Sequence, residues 1–169
     1  MQADPGYVAA PGGGGPGVLV LHAWWGLSDG IRRFCDRLAG ERFVALAPDL
    51  CGGRTAGTIA EDADVDAVVL YYGTASGIDH ARQPSPVLGH FAENDDLEPA
   101  DEVGSLEDDV RRARRPARFH VYPGVGHWFA EADRPHAYDE AAASLALRRT
   151  VGFLRSQLQR EAVAPPPQW

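Results

Sequence analysis

Apolar residues gather in five short segments along the chain. The first of them, Val-Leu-Val-Leu-His-Ala, is almost wholly apolar, which is typical of a strand buried on both faces of a sheet. We interpret all five segments as buried strands. They span residues 18–23, 43–47, 65–72, 86–91 and 117–122.

Between these segments, apolar residues recur at helical spacing in three stretches. In the first, residues 31–38, Ser28 and Asp29 supply N-cap chemistry and Gly40 offers a stop. The second, residues 98–115, is acidic in its first half and ends in arginines, which suits the helix dipole. The third covers residues 138–158. We therefore predict three helices.

Strands that alternate with helices predict an α/β fold, with a mostly parallel sheet of about five strands and helices on both faces. The 169 residues suffice for one domain with one buried core, which we place at residues 1–160. Residues 161–169 contain three consecutive prolines and predict a flexible tail.

Charge and composition exclude several classes of partner. The formal net charge of −8 argues against a nucleic-acid partner, because phosphate binding needs a basic surface. No apolar run is long enough to cross a bilayer, so we expect no membrane partner. The first residues do not resemble a signal peptide. These features favour a cytoplasmic protein with reduced thiols at Cys35 and Cys51.

Two segments carry candidate chemistry at the ends of predicted strands. Residues 91–99 place an acid after the fourth strand, and residues 122–129 place a histidine in a glycine-flanked loop after the fifth. The ends of strands are where α/β sheets form their sites. The order of acid and then histidine is that of the α/β-hydrolase triad after its nucleophile. Asp95 and His127 are therefore the candidate catalytic residues, with Asp96 as a competing acid.

Five stretches in order resemble the dienelactone hydrolase family: residues 18–26, 47–54, 67–73 and the segments around Asp95 and His127. Together they cover nearly all of the chain from residue 17 to about residue 160. The resemblance implies an α/β-hydrolase fold and hydrolysis of small esters or lactones by a Cys or Ser nucleophile, an Asp and a His. It maps the acid to Asp95, the histidine to His127 and an oxyanion-hole donor to the backbone N–H of Trp24.

The chain departs from the family where the nucleophile belongs. The nucleophile elbow, G-x-S-x-G or G-x-C-x-G, should lie between Arg54 and the strand at residues 65–72, and neither pattern occurs there. A strand and two helices are missing, so acyl transfer should be severely impaired. The loss would also leave an open sheet edge. We predict that the strand at residues 65–72 pairs beside that at 18–23; if the gap stays open, the chain should aggregate or dimerise through that edge.

Other residues offer weaker candidates for the missing groups. Ser76 lacks the flanking glycines of an elbow and is better interpreted as part of a surface turn, and Cys51 as a passive loop thiol. Cys35 and His22 lie on predicted buried surfaces and suit structural roles. Four other residues match no metal-ligand spacing, so we expect no metal or cofactor. They are His120, His127, Asp133 and His136.

Aromatic residues near the strand ends suggest a substrate pocket. Trp25, Tyr72 and Trp128 could line it or could pack only at its rim. Arg54 could bind a substrate carboxylate or could be a solvated loop residue. The sequence thus leaves two functions open. One is an impaired hydrolase of small esters or lactones, and the other is a non-catalytic binding or dimerising remnant of the same fold.

Overall fold

The computed structural model describes residues 6–21, 26–48, 65–74, 80 and 85–158. Six strands and three helices lie within these residues. In chain order they are β1 (Tyr7–Ala9), β2 (Gly17–Leu19), α1 (Asp29–Gly40), β3 (Val44–Ala47), β4 (Val68–Tyr71), β5 (Val87–Asn94), α2 (Ala100–Arg112), β6 (Ala117–Gly126) and α3 (Glu140–Leu158).

The cap chemistry predicted for α1 is present in the structure. The Ile31 N–H donates to Ser28 Oγ, at 3.4 Å, so Ser28 is the N-cap of the helix. Cys35 and Leu38 are fully buried on the inner face of α1. Gly40 is the last helical residue, and Arg42 turns the chain with a left-handed φ of 70°. The first predicted helix is therefore confirmed.

The strands form two three-stranded sheets, in the orders β1-β3-β2 and β4-β5-β6. β3 is parallel to β2 and antiparallel to β1, and the second sheet is parallel throughout. The prediction of a mostly parallel sheet is confirmed. The short strand β1 was not predicted, because it lies in a stretch rich in glycine and proline.

The prediction that the strand at residues 65–72 pairs beside the one at 18–23 is wrong. Within the described ranges, β2 and β4 are edge strands of different sheets and form no ladder with each other. β4 is held by its pairing to β5, from Val68 opposite Val87 to Tyr71 opposite His90. The other edge of β4 carries no ladder within the described ranges.

Helices cover both faces of the second sheet. Val68 and Leu70 of β4 pack against a cluster that includes buried residues of α2, whereas Val69 packs against residues of α1 and α3. This alternation is expected of a strand with two buried faces. The predicted helices on both faces are therefore confirmed. Among the described helices, none has the length and apolar character needed to cross a lipid bilayer.

The first sheet leaves one apolar surface open. Val8, Leu46 and Leu19 are register partners across β1, β3 and β2, and they are 60%, 40% and 43% exposed. Their neighbours Ala45 and Ala47 point to the other face and are fully buried. We call these three exposed side chains the apolar row. They give the first sheet one buried and one exposed apolar face.

Candidate active site

The pairing of β5 with β6 brings the two candidate residues together. Asn94 is opposite Gly126 in the last pair of the ladder. The next residue on each strand is Asp95 and His127, respectively, so both leave the sheet at the same edge. This is the carboxyl end of a parallel sheet, where α/β proteins form their sites.

Asp95 binds His127 directly and is itself held in place. His127 Nδ1 lies 2.7 Å from Asp95 Oδ2, and Asp95 Oδ1 accepts hydrogen bonds from the backbone N–H groups of Leu97 and Glu98, each at 3.0 Å. An ionised carboxylate only accepts hydrogen bonds, so the Nδ1–H group donates this hydrogen bond to Asp95. When the ring is neutral, its Nε2 atom can accept a proton.

Of the two acids that the sequence left open, Asp95 is the one that contacts His127. The Asp95 side chain is buried, with 1% exposure, whereas Asp96 lies on the surface. The His127 side chain keeps 16% exposure, so the histidine is the accessible member of the pair. Among the residues that the structure describes, no hydroxyl or thiol forms a hydrogen bond with the His127 ring.

Aromatic rings surround the His127 imidazole. The Tyr72 ring lies 5.0 Å from it and the Trp128 ring 4.8 Å, measured between centroids. Both neighbours have left-handed backbones, with φ of 40° at Tyr72 and 67° at Trp128. Such conformations cost about 1–2 kcal/mol for residues other than glycine, and they concentrate at functional sites. The two residues whose rings contact the His127 imidazole therefore both have strained backbones.

Tyr72 supports the histidine loop through its ring and its hydroxyl. Burial raises the pKa of Tyr72 well above its usual value, and the charge of Glu131 raises this pKa further. The phenol therefore stays protonated in neutral solution and cannot act as a base. Its oxygen is hydrogen-bonded to the backbone of Ala130, three residues beyond His127.

Two carboxylates fix the loop that carries His127. Glu93 Oε2 accepts from the backbone N–H of Gly124, at 2.8 Å, where the chain adopts a φ of 74°. Asp133 Oδ2 accepts from the backbone N–H of Gly30, at 3.1 Å, at the start of α1. The loop is thus tied both to β5 and to a helix of the first sheet.

An open cavity of about 590 Å³ lies beside the pair. It is bordered by the loops that follow β5 and β6 and by residues 136–139. His127 and Trp128 line it, and Tyr72 does not. Of the two described residues predicted to bind substrate, Trp128 therefore borders this space, and Tyr72 packs against the histidine instead.

Several predicted site residues lie outside the described ranges. The remaining described histidines do not contact Asp95 or His127: the His120 ring stacks on that of His90, His80 contacts Arg115, and His136 borders the cavity. In the part of the chain that the structure covers, no three His, Cys, Asp or Glu side chains are grouped to hold a metal ion. The predicted residues that lie outside are Trp24, Trp25, Arg54, His22, Cys51 and Ser76.

One stretch matches the elbow pattern at a different place. Residues 26–30 read Gly-Leu-Ser-Asp-Gly and run from the connection after β2 into the first turn of α1, so the sequence carries an elbow-like pattern that the prediction overlooked. Ser28 has φ −74°, in the extended region, and its side chain bonds the Ile31 N–H and Asp133. The strained turn of a nucleophile elbow is not present, and Ser28 serves as a helix cap.

A largely parallel sheet with helices on both faces, and an acid and a histidine after its last two strands, defines the α/β-hydrolase class. Comparison with known families gives the narrower result. The model of the dienelactone hydrolase family matches residues 5–56 and 50–158, and the chain therefore belongs to this family.

Curated relatives match the chain over different lengths. A protein of Azospirillum brasilense, provisionally named as a carboxymethylenebutenolidase, is 28% identical over 218 aligned positions, which cover 90% of this chain and 93% of that protein. The protein usf of Aquifex pyrophilus is 54% identical over 54 residues, but these are 30% of this chain and 23% of that protein.

Solved structures show the same fold. The dienelactone hydrolase-like promiscuous phosphotriesterase P91, from metagenomic libraries, superposes with a TM-score of 0.73 at 18% identity, covering 85% of this chain and 87% of that one. Esterase 2 of Thermogutta terrifontis gives a TM-score of 0.65 at 12% identity, covering 89% and 86%.

The comparisons also bear on the missing segment. The alignment with the Azospirillum protein is longer than the 169 residues of this chain, so that relative contains residues without a counterpart here. The two segments that match the family model meet at residues 50–56, between β3 and β4. The sequence predicted the missing elbow in this same connection.

Proposed function

We propose that this chain is a hydrolase of small esters or lactones in which His127 is the general base and Asp95 orients it. The observation that carries the proposal is the 2.7 Å bond between Asp95 Oδ2 and His127 Nδ1, with Asp95 Oδ1 fixed by two backbone N–H groups. This geometry presents Nε2 of a neutral imidazole to the reacting group. A base of this kind contributes about 10²–10⁴-fold to a rate.

In the proposed reaction, His127 Nε2 takes the proton of the attacking oxygen or sulfur while that atom adds to the substrate carbonyl. Asp95 stabilises the imidazolium that forms, and the proton then passes to the leaving alkoxide. The backbone N–H of Trp24 is our candidate donor to the developing oxyanion. Trp25, Trp128 and Arg54 are our candidate substrate contacts, with Arg54 facing a substrate carboxylate.

We expect weak turnover, because the elbow is missing between residue 55 and β4. Removing the nucleophile from an intact triad costs about a millionfold in kcat and leaves about 10³–10⁴-fold over water. Because no side-chain nucleophile is assigned, the proposal takes water, activated directly by His127, as the attacking group. An activated ester such as p-nitrophenyl acetate is therefore the appropriate first substrate.

The test compares hydrolysis of p-nitrophenyl acetate by the wild-type chain and by His127→Ala. We expect turnover above the buffer rate in the wild type and none above it in the variant. His80→Ala is the matched control, since His80 contacts Arg115, just before the start of β6, and the wild-type rate should be kept. Equal rates in the wild type and His127→Ala would refute the proposal.

The same assay identifies a replacement nucleophile, if one exists. Ser28→Ala, Cys51→Ala and Ser76→Ala should each leave the rate unchanged if water is the attacking group. If one variant loses turnover, and an acyl group can be trapped on that residue in the wild type, then that side chain and not water is the nucleophile.

A second candidate function is a dimerising remnant of the fold, and the apolar row favours it. Val8, Leu46 and Leu19 expose a continuous apolar surface across three strands, which is typical of an interaction site. We propose a homodimer that covers this row, in a protein that stays in the cytoplasm. This role needs no turnover. A stable dimer that does not hydrolyse esters would favour this role over the proposed hydrolase.

A further inference from the structure

A buried polar network lies beneath the candidate site, and the proposed reaction does not use it. Its centre is His90 in β5, whose side chain is completely buried. His90 Nδ1 lies 2.8 Å from the hydroxyl of Tyr122, and Nε2 lies 3.0 Å from Oγ1 of Thr150. The hydroxyl of Tyr71 lies 2.9 Å from the same Thr150 oxygen. The network thus joins β4, β5, β6 and α3.

The protonation state of the network follows from its charges. Burial, with further effects of His120 and Arg149, lowers the pKa of His90 to about 3, so the ring is neutral. The Arg149 guanidinium lies over the Tyr122 ring, 5.2 Å from its centroid. A neutral imidazole has one N–H donor and one acceptor nitrogen, so His90 donates to one of the two hydroxyls and accepts from the other. Each ring nitrogen of His90 therefore has a partner.

The network touches the residues that surround His127. The backbone N–H of Tyr72 donates to the carbonyl oxygen of His90, at 2.8 Å, and the Tyr71 ring lies 4.7 Å from the His90 ring. On the other side, the Tyr122 ring lies 4.8 Å from Phe129, and Phe129 lies 5.4 Å from Tyr72. Both routes end at Tyr72, whose ring lies against His127.

We propose that His90 is a positioning residue for His127. Through Thr150 and Tyr122 it fixes the strand β4, the helix α3 and the base of the histidine loop in one arrangement, and so holds Tyr72 against the His127 ring. The inference concerns the geometry of the site. Its kinetic consequence rests on the proposed function, but the geometry can be measured without any turnover.

A polar centre suits this role better than an apolar side chain would. An apolar residue at position 90 would fill the space but would leave the Tyr122 and Thr150 hydroxyls without this partner. Packing alone allows side chains to adjust, whereas the hydrogen bonds at both ring nitrogens, one donated and one accepted, set the orientation of their partners. Tyr72 needs such support because its left-handed backbone is strained.

The experiment follows the His127 imidazole by NMR in the wild type, His90→Leu, Thr150→Val and Tyr122→Phe. The readouts are the His127 titration midpoint and the exchange rate of its Nδ1 proton. We expect a displaced midpoint and about tenfold faster exchange when the network is broken. Val110→Ala is the control, since it weakens the buried cluster at α2, away from the network.

The control separates positioning from general loss of stability. Val110→Ala should lower the melting temperature and leave both His127 readouts at wild-type values. If Thr150→Val and Tyr122→Phe do the same, His90 is only a core residue and the proposal is wrong. These two variants each remove one hydroxyl, so they keep the test valid even if His90→Leu fails to fold. If the His127 readouts change in Thr150→Val and Tyr122→Phe but the wild type hydrolyses no ester, the proposed function is refuted and the positioning role of His90 is not.

Discussion

The two oxygens of the Asp95 carboxylate serve different partners, and this division explains how the acid is placed. One oxygen accepts from His127, and the other accepts from the backbone N–H groups of Leu97 and Glu98. The turn that follows β5 thus holds the carboxylate through an oxygen that the histidine does not use. Asp96, one residue later, points to solvent because adjacent side chains at a strand end leave in different directions.

The sequence predicted the candidate histidine, and only the family resemblance favoured Asp95 over Asp96 as the candidate acid. The decision depends on where β5 ends, and β5 continues to Asn94, three residues beyond the predicted strand. It also depends on the pairing of Asn94 with Gly126. This long-range register has no local signal in the sequence.

His90 provides a prediction about the pH dependence of stability. Its pKa is about 3 in the folded chain and about 6.5 when unfolded. Because the folded value is lowered, His90 stabilises the fold fully above about pH 6.5, and this contribution is lost as the pH falls toward 3. The limiting slope is about 1.4 kcal/mol per pH unit for one proton.

Thermal unfolding of the wild type and His90→Gln between pH 7.5 and 4 measures this effect. The two proteins share all carboxylates, so the difference between their curves isolates His90. We expect the gap in melting temperature to narrow as the pH falls below about 6.5. A gap that stays constant across the range would show that His90 is not held neutral.

At the scale of elements, the strand and helix cores follow from the sequence and the strand ends do not. The apolar runs locate β2 to β6, and the Ser28 cap locates α1. β6 nevertheless runs through Pro123 and Gly124 to Gly126. Proline is tolerated there because, among the described strands, β6 pairs with β5 alone and so lies at an edge. Rules for strand breakers cannot anticipate this without the pairing.

The tie between the histidine loop and α1 gives a prediction at this scale. A Cβ at residue 30 would collide with the Asp133 carboxylate, so Gly30→Ala should break the hydrogen bond between the loop and the helix. Asp133 is exposed and its carboxylate can rotate away, so we expect a loss of about 0.5–1.5 kcal/mol relative to Gly104→Ala, which is the contribution of one hydrogen bond. Thermal unfolding monitored by circular dichroism checks this.

Gly104→Ala is the matched substitution in another helix. Nothing lies within 4 Å of a Cβ at residue 104, so the higher helix propensity of alanine should stabilise α2 by about 1 kcal/mol. If Gly30→Ala were as stable as Gly104→Ala, the contact between Asp133 and Gly30 would not hold the loop.

At the scale of the whole molecule, the fold class was predictable and the division into two sheets was not. Alternating strands and helices are a local pattern, and the α/β class follows from it. A strand has two edges, so the ladder between β4 and β5 does not exclude a second ladder between β4 and β2. Whether the two sheets join depends on a long-range pairing that has no local signal in the sequence. In the described part of the chain, β2 and β4 are the edges of separate sheets.

The apolar row leads to a prediction about oligomeric state. Light scattering after gel filtration should find a dimer of the wild-type chain at micromolar concentration. Leu46→Glu places a charge at the centre of the row and should give a monomer that is still folded by circular dichroism. Leu97→Glu, at an exposed leucine after β5, should remain dimeric. A monomeric wild type, or a dimeric Leu46→Glu, would count against the row as an interface.

The account rests on Asp95 and His127 acting as one catalytic unit, and a double-mutant cycle on the hydrolysis of p-nitrophenyl acetate tests this most directly. When two residues act as one unit, removing either one abolishes the contribution of both. The double variant Asp95→Asn/His127→Ala should therefore hydrolyse the ester no more slowly than His127→Ala alone. Asp96→Asn with His127→Ala supplies the comparison for the competing acid. Losses that multiply in the Asp95 and His127 cycle, or an Asp96→Asn effect larger than that of Asp95→Asn, would contradict the account.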